Sequence, residues 1–344
     1  MRIAVKFIYS DKNLTKAMAG WLCIFALIIL RCFAAAAGEP QLPIAVIGDT
    51  QRTSWMESIF MFREENERER ELLLQHLFRT KFSLLVHLGD MVFDGASASE
   101  WMEFDRLFAP VFAEGIPFIP VMGNHEYWGN NQQALANLTA RFPRLANSRW
   151  QACIHDSLGL IVIDSNISEY AEADWARQVA WFEGALREME ANPNVRAVLT
   201  FSHHPPFTNS TMIDDASHLA KSFLPAFFAA RKTMAFISGH VHGYERFAAN
   251  GRTFIVSGGG GGPRLRLLER NKTRHQDLFS GPAIRPFNYL LLYPEPGRLR
   301  IEVMGLDKAA PAGRLSPIRL IDEMTIIYPR HGRAATPKNI RSQK

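Results

Sequence analysis

The chain has 344 residues, of which 47% are hydrophobic and 21% are charged. This composition excludes a disordered chain, and the length allows one large α/β domain or two smaller ones. The formal charge of +5 is uneven, because residues 1–37 carry five basic and one acidic residue and residues 308–344 carry eight and two, which leaves −5 for residues 38–307. We expect no specific nucleic-acid groove in this central part, because such grooves are basic.

The first 37 residues have the three-part layout of a secretory signal peptide. Basic residues precede an unbroken apolar stretch at 17–30, and four alanines at 34–37 offer small side chains for cleavage. The stretch is short for a bilayer-spanning helix. An uncleaved N-terminal anchor, and with it a membrane tether, is the alternative. Either version predicts an exported protein that is periplasmic, secreted or held at the cell surface.

The cysteines exclude a disulfide framework in the mature chain. Cys23 and Cys32 lie in the leader, which leaves Cys153 alone. A single cysteine forms no intramolecular disulfide, and we expect Cys153 to be a small buried hydrophobic residue.

Short apolar runs and helical stretches alternate along the chain. Apolar runs at 44–47, 83–87, 117–121, 158–163, 195–201 and 234–237 are predicted to be buried strands because they are short, β-branched and followed by polar clusters. Helices are predicted at 55–79, 97–112, 175–190 and 217–231, with Ser97 or Ser99 as the cap of the second. The charged residues 63–71 are expected on a solvated helix face. This alternation favours an α/β layered body.

The alternation of predicted strands and helices stops in the second half of the chain. Residues 252–257, 287–293 and 299–304 are predicted strands with no helix between them, which favours a second sheet. The five glycines at 258–262 are expected to form a tight turn near a site, because no helix follows them as a phosphate-binding loop requires. An insertion at 127–150 is expected to lie over that site.

Polar side chains follow the predicted strands at the point where each strand ends. They are Asp49, Gln51, Asp90, Asn124, His125, His203, His204, His240 and His242. Alone, an aspartate of this kind fits a helix cap and Asn124 fits a turn. Together they converge, since the carboxyl ends of strands meet at one edge of an α/β body. Carboxylate, imidazole and amide ligands suit Mn, Fe or Zn, and their number suits two ions that share a carboxylate better than one.

Five motifs carry a family resemblance. "GDTQ", "GDMVFDG", "GNHE", "SHHPP" and "GHVH" occur in this order, and together they resemble the calcineurin-like metallophosphoesterase superfamily. The longer string "GHVHGYER" is most similar to the purple acid phosphatase branch. The resemblance implies an α/β fold, a four-layer α/β/β/α sandwich of two mixed sheets flanked by helices. We assign residues 38–307 to this catalytic domain and residues 308–344 to a basic C-terminal tail.

The resemblance also implies a role for each site residue. Two divalent or trivalent ions, of Mn, Fe or Zn, would share Asp90. Asp49 and His242 would bind the first ion, and Asn124, His203 and His240 the second. His125 would not be a ligand: it would face the substrate, stabilise the phosphate oxygens and protonate the leaving group. Asp94 is expected to orient His125, and His204 to line the wall of the site without being a ligand.

Two positions depart from the family pattern. The superfamily often has histidine where Gln51 stands, and an amide oxygen is a weaker ligand for zinc or iron than imidazole. Purple acid phosphatases have a tyrosine where Phe93 stands, and its tyrosinate gives them their colour. We therefore expect a colourless protein whose first metal site is the looser one, with Gln51 as a candidate ligand.

The function implied is an exported hydrolase of small phosphate esters, foremost monoesters, in which a metal-bound hydroxide attacks phosphorus. One alternative is a phosphodiesterase acting on nucleotide or lipid head groups. Another is a decayed module that binds metal or phosphate without turnover. The sequence leaves the oligomeric state open.

Overall fold

The computed structural model of the protein describes residues 41–269, 271–308 and 317–329. In these ranges the strands are β1 (Ile44–Ile47), β2 (Leu84–His87), β3 (Phe118–Pro120), β4 (Gln151–His155), β5 (Leu158–Val162), β6 (Ala197–Ser202), β7 (Thr233–Ser238), β8 (Tyr244–Ala249), β9 (Arg252–Ser257), β10 (Phe287–Glu295), β11 (Arg298–Leu306) and β12 (Arg319–Ile327). The helices are α1 (Trp55–Phe60), α2 (Glu67–Arg79), α3 (Ala98–Ala113), α4 (Asn131–Arg141), α5 (Glu172–Ala191), α6 (Ser217–Ser222) and α7 (Leu224–Ala229). Within the described ranges, none of these helices has the length and apolarity needed to cross a bilayer.

The described strands form two six-stranded sheets. The first has the order β12-β11-β10-β1-β2-β3 and the second β4-β5-β6-β7-β9-β8. In the first sheet β1, β2 and β3 are parallel, whereas β10, β11 and β12 continue it in antiparallel pairs. In the second sheet β5, β6, β7 and β9 are parallel, with antiparallel strands at both edges. Both sheets are therefore mixed.

Three hydrophobic cores separate four layers. Val46, Val86 and Leu199 belong to the core between the two sheets. On its other face the first sheet is covered by α2 and α3 through residues such as Leu73 and Phe108. Helices α5, α6 and α7 cover the second sheet in the same way. Strands buried on both faces are continuously apolar, which explains why their runs were visible in the sequence. The predicted α/β/β/α sandwich is confirmed.

Two predicted helices are each split in two. The stretch 55–79 breaks between α1 and α2, where Phe62 has a left-handed backbone with a φ of 51°. The stretch 217–231 breaks into α6 and α7, with a proline in the first turn of the second. The charged run is not wholly solvated, since Glu69 and Arg70 at the start of α2 are buried. The N-terminal cap of α3 is Ser97, which is one of the two residues predicted for this role.

The late strands do not form a sheet of their own. β9 joins the second sheet beside β7, and β10 joins the first beside β1. The first sheet also continues beyond the predicted domain end at residue 307, because β12 pairs with β11. The predicted tail thus includes a strand, and the rest of that tail and the predicted leader lie outside the described residues. Cys153 is exposed on edge strand β4, so its predicted burial is wrong.

Candidate metal centre

The polar residues predicted to converge do come together, at one edge of both sheets. Asp49 and Asp90 follow β1 and β2, which are neighbours in the first sheet, and His203 and His240 follow β6 and β7 in the second. The backbone N–H of His240 donates to Asp49 Oδ1 at 2.8 Å. The N–H of Gly239 donates to the His203 carbonyl at 2.9 Å. The turns of the two sheets are thus bonded directly to one another.

Three of these residues have a strained backbone. Asp49, Asp90 and His240 have φ values of 59°, 54° and 66°. The left-handed region is uncommon for residues other than glycine, and such outliers cluster at functional sites. In each case the turn directs a candidate ligand side chain toward the centre.

The first cluster consists of Asp49, Gln51, Asp90 and His242. The two carboxylates and His242 offer ligand atoms that all lie within 4.8 Å of one another. His242 Nε2 is 3.5 Å from Asp49 Oδ1. Gln51 Nε2 donates to Asp90 Oδ2 at 3.3 Å and lies 3.2 Å from His242 Nε2. The other amide atom of Gln51, Oε1, is buried and has no hydrogen-bond partner, so this oxygen is not engaged within the protein.

The second cluster consists of Asp90, Asn124, His203 and His240. His203 Nε2 lies 3.0 Å from Asn124 Oδ1, 3.0 Å from His240 Nδ1 and 3.3 Å from Asp90 Oδ2. Its other ring nitrogen, Nδ1, donates to the Leu88 carbonyl at 2.9 Å. In neutral His203 the Nε2 lone pair therefore faces the Asn124 and Asp90 oxygens, which also offer lone pairs, beside His240 Nδ1, whose role depends on its tautomer. A positive charge is needed where they meet.

The pKa shifts in the centre agree with this. Burial alone would lower the pKa of His203, but the Asp90 carboxylate outweighs it and raises that pKa to about 10. Burial alone would raise the pKa of Asp90, but His203 and then His125 hold it well below its usual range. Asp90 therefore keeps its negative charge. A buried carboxylate among imidazoles is stabilised by a cation, either a proton or a metal ion.

The donor set fits a metal in a further respect. His242 Nδ1 donates to the Pro263 carbonyl at 2.8 Å, as His203 Nδ1 does to Leu88. Metal-binding histidines characteristically donate their second N–H to a carbonyl or carboxylate, which fixes the ring and its tautomer. The ligand atoms are carboxylate and amide oxygens and imidazole nitrogens, which suit Mn, Fe and Zn.

His125 lies beside the two clusters in an aromatic clamp. Its ring centroid is 5.1 Å from that of Phe93 and 3.7 Å from that of Trp128. Its Nδ1 donates to the Phe93 carbonyl at 2.6 Å. The other ring nitrogen, Nε2, lies 3.8 Å from Asp90 Oδ2 and so faces the centre. His125 is thus held with one nitrogen directed at the carboxylate that both clusters share.

Asp94 does not orient His125, contrary to the prediction. Its Oδ1 accepts from the Ala96 backbone N–H at 2.9 Å, in the turn before α3. The Phe93 carbonyl, one residue earlier in the chain, takes the place foreseen for the carboxylate. A backbone group of this kind carries no side-chain signal in a sequence.

His204 lies closer to the centre than a wall residue would. Its Nδ1 is 2.8 Å from Ser165 Oγ, and its ring centroid is 4.2 Å from that of His240. Together with His203 and His240 it forms a group whose ring nitrogens lie within 4.8 Å of one another. Burial, and then the neighbouring His203, lower the pKa of His204 to about 3. The ring is therefore neutral and adds a third imidazole on the side of the second cluster.

Glu126 is a site residue that the sequence argument missed. The side chain is fully buried and accepts three backbone N–H groups, from Asp90 at 2.8 Å, Met91 at 2.7 Å and Gly123 at 2.7 Å. It therefore ties the turn that carries Asp90 to the turn that carries Asn124. Burial, and then the Asp90 charge, raise the pKa of Glu126 to about 8. The sequence signal that could have identified this residue was the glutamate at the end of the "GNHE" motif.

The glycine-rich loop lies against the first cluster, as predicted. Gly260 and Gly262 donate their N–H groups to the carbonyls of Gly48 and Asp49, both at 2.9 Å. A Cβ on Gly260 would stand 2.1 Å from the Gly48 carbonyl oxygen. Only glycine lets this loop pack so closely on the Asp49 turn.

The insertion at 127–150 touches the site only at its beginning. Trp128 packs against His125, whereas helix α4 packs on the outside of the first sheet through Leu138. At the end of the insertion, Arg149 lies over the Tyr170 ring and Trp150 contacts Trp181 of α5. Asn137 donates to the Gly95 carbonyl at 3.1 Å, and Arg141 pairs with Asp105 at 2.6 Å. The predicted position over the site therefore holds for Trp128 and not for helix α4.

A family model described as calcineurin-like phosphoesterase matches residues 42–244. The chain belongs to the calcineurin-like phosphoesterase family. The predicted resemblance is thereby confirmed, and with it the expected class of enzyme at the level of the family. The matched range contains both clusters.

The chain is also similar to a curated relative, the Arabidopsis thaliana protein named probable purple acid phosphatase 20. The two are 23% identical over 226 residues, which is 60% of this chain and 47% of the relative. The chain thus spans about half the length of that relative.

Three solved structures share the fold at 16% identity. Purple acid phosphatase PPD1 from yellow lupin has a TM-score of 0.56 over 83% of this chain and 53% of its own. GAP50, the anchor in the inner membrane complex of Plasmodium, has a TM-score of 0.57 over 85% and 90%. A dimetal phosphatase from Danio rerio has a TM-score of 0.55 over 85% and 100%.

Proposed function

We propose that the protein is an exported, dinuclear metal-dependent hydrolase of phosphate monoesters. The observation that carries the proposal is the position of Asp90, a buried carboxylate that belongs to both ligand clusters and keeps its charge. The family supports hydrolysis of a phosphate ester, and the likeness to a purple acid phosphatase supports a monoester. Export is supported by the pattern of the first 37 residues.

The two clusters define which residues would hold the ions. Asp49, His242 and Gln51 would hold one, Asn124, His203 and His240 the other, and Asp90 would bridge them. Two bound ions supply Lewis acidity for phosphate oxygens and lower the pKa of coordinated water toward neutrality. The identity of the ions among Mn, Fe and Zn is left to measurement.

His125 would act on the substrate directly. Its Nδ1–H is engaged by the Phe93 carbonyl, so any proton it delivers must leave from Nε2, the atom that faces Asp90. A protonated His125 would donate to a phosphate oxygen and then to the leaving alcohol. Phe93 and Trp128 hold the ring so that this nitrogen keeps its direction.

The test combines metal analysis with turnover. Protein reconstituted with Mn, Zn or Fe is expected to contain about two ions per chain and to hydrolyse an aryl phosphate faster than a bis-aryl phosphate. Asp90→Asn should lose both metal and turnover. Asp94→Asn is the matched control, because the hydrogen bond described for the Asp94 side chain goes to a backbone N–H in its own turn.

Three results would contradict the proposal. Full activity in metal-free protein would overturn the mechanism. Equal metal content in Asp90→Asn and the wild type would remove the bridging role. A chain that binds one ion or none and turns over no ester would instead be a binding module.

A further inference from the structure

The backbone of His204 is held by hydrogen bonds on both sides. Its N–H donates to Ser165 Oγ at 3.0 Å, and its carbonyl accepts from Ser202 Oγ at 2.7 Å. The next residue is Pro205, which restricts the backbone of His204 further. Ser165 is fixed as well, because its carbonyl accepts from His218 Nε2 at 2.9 Å. The protein therefore sets the position of the His204 ring before any ligand binds.

One ring nitrogen of His204 is available to a ligand. Nδ1 lies 2.8 Å from Ser165 Oγ, whereas Nε2 has no hydrogen-bond partner among the residues that the structure describes. His204 is partly exposed, and Nε2 is not one of the buried side-chain atoms that lack a partner. The ring centroid lies 4.2 Å from that of His240 and 5.0 Å from that of His203. Nε2 thus reaches solvent beside two candidate ligands of the second ion.

The Ser165 hydroxyl determines which nitrogen of His204 carries the proton. Its oxygen already accepts from the His204 N–H. Ser165 is only 1% exposed, and within the described part of the chain its O–H has no acceptor other than His204 Nδ1. If Nδ1 donated instead, the hydroxyl proton would be buried without a partner, which costs free energy. Every group is satisfied when Ser165 donates to Nδ1, and this places the proton of the neutral ring on Nε2.

The candidate metal ligands differ from His204 in this respect. Nδ1 of His203 donates to the Leu88 carbonyl and Nδ1 of His242 to the Pro263 carbonyl, and a carbonyl can only accept. Their Nε2 atoms therefore carry the lone pair that a metal ion needs. A hydroxyl can donate, so His204 takes the opposite tautomer. Its Nε2 offers a proton in place of a lone pair.

We propose that His204 is a substrate-binding residue and not a metal ligand, and that its Nε2–H donates to a phosphate oxygen of the ester. This rests on the proposed hydrolase function. A donor that is held in place before the substrate arrives stabilises charge on the phosphate oxygens without having to reorganise. His125 faces the centre from the side of Asp90, whereas His204 lies on the side of His240. The substrate would thus meet a donor on each of these two sides.

The first experiment reads the tautomer of His204 directly. The full-length protein, with its histidines labelled by the heavy nitrogen isotope, is loaded with zinc, and NMR correlates the ring nitrogens with the carbon-bound ring protons. The signals of His204 are assigned by their disappearance in His204→Gln. We expect a protonated Nε2 and an unprotonated Nδ1 in the wild type. In Ser165→Ala the Nδ1–H form should become populated, because the hydroxyl that donates to Nδ1 is removed.

The second experiment separates a substrate contact from a metal ligand. Metal content, kcat/KM on an aryl phosphate and calorimetric binding of inorganic phosphate are measured for His204→Ala and His204→Gln. In His204→Ala we expect about two ions per chain, a fall of about 10–100-fold in kcat/KM and about tenfold weaker binding of phosphate, the scale for one hydrogen bond to a charged group. His204→Gln should recover part of both losses, because the glutamine amide can place an N–H near the position of Nε2. The matched control is His155→Gln on edge strand β4, which should change none of the three quantities.

Several outcomes would overturn the proposal. Loss of an ion in His204→Ala, with the fold intact by circular dichroism, would make His204 a metal ligand. A protonated Nδ1 in the wild type would leave Nε2 without a proton to donate, and this result does not depend on whether a variant folds. Unchanged phosphate binding in His204→Ala would reduce the residue to a structural role. If the wild type turned over no ester, the proposed function would fail, whereas the tautomer and the binding of inorganic phosphate would still decide the role of His204.

Discussion

The two ligand clusters share Asp90 but are built differently. In the second cluster, His203 brings Asn124, His240 and Asp90 within 3.0–3.3 Å of one nitrogen, and His204 adds another imidazole nearby. In the first cluster one position is held by the amide of Gln51, and Phe93, at the position expected to be a tyrosine in purple acid phosphatases, packs against His125. Imidazole is the stronger ligand for late first-row metals. The comparison predicts one tight and one loose site.

The largest effect is expected from the tight site. His240→Ala removes an imidazole that lies 3.0 Å from His203, so the second ion should be lost and turnover of an aryl phosphate should fall more than about a hundredfold. Metal content per chain and kcat measure the two effects. His155→Ala on edge strand β4 is the control and should retain both. Unchanged metal content in His240→Ala would show that the second cluster is not a binding site.

Gln51→His should make the two sites more alike. An imidazole in place of the amide should raise the affinity of the first site by about 10–100-fold, the scale on which metal-site substitutions act. A chelator titration of the wild type should release the two ions in two steps, and in the variant the steps should approach each other. Two steps that stay equally far apart would show that Gln51 does not contact the ion.

The colour of the iron-loaded protein tests Phe93. Without a tyrosinate ligand, the wild type should show no intense visible charge-transfer band when loaded with iron. Absorbance between the near ultraviolet and the red measures it, with protein loaded with zinc as the blank. An intense band would show that another phenolate reaches the first cluster. The expectation of a colourless protein would then be wrong.

Outside the two clusters, we expect a pH dependence of stability from Glu245, three residues after His242. Burial raises the pKa of Glu245 to about 7, although its side chain accepts from Thr208 Oγ1 and from the Asn209 N–H at 2.8 Å. In the unfolded chain it ionises near 4.5, so the folded state binds the extra proton between these values. The free energy of unfolding should therefore fall by up to about 3 kcal/mol as the pH rises from 4.5 to 7.

Urea unfolding at pH 5 and pH 8 measures this loss, and Glu245→Gln should reduce it because glutamine does not titrate. Glu114→Gln, at an exposed position after α3, is the control. A wild type whose stability rises over this range, with no difference between the two variants, would contradict the assignment.

Much of the fold followed from local pattern. Buried strands such as β1 and β6 are apolar on both faces, so their runs and the polar residues after them are visible without a structure. Strand β12 was missed because it is an exposed edge strand whose burial is irregular. The break at Phe62 was missed because an amphipathic stretch does not reveal a left-handed residue within it. Strand β12 and the break at Phe62 both depend on the residues that lie next to them in space.

By itself, the sequence determined which chemistry is available: two aspartates, an asparagine and histidines placed after strands, in an order similar to a known family. Motif spacing carries this information because strand ends in an α/β body share an edge. Only the tertiary structure decided that the Phe93 carbonyl and not Asp94 holds His125, that Glu126 joins two turns, and that the apolar side chains of residues 55–62 face outward. Those facts depend on backbone groups and on exposure, which residue identity does not encode.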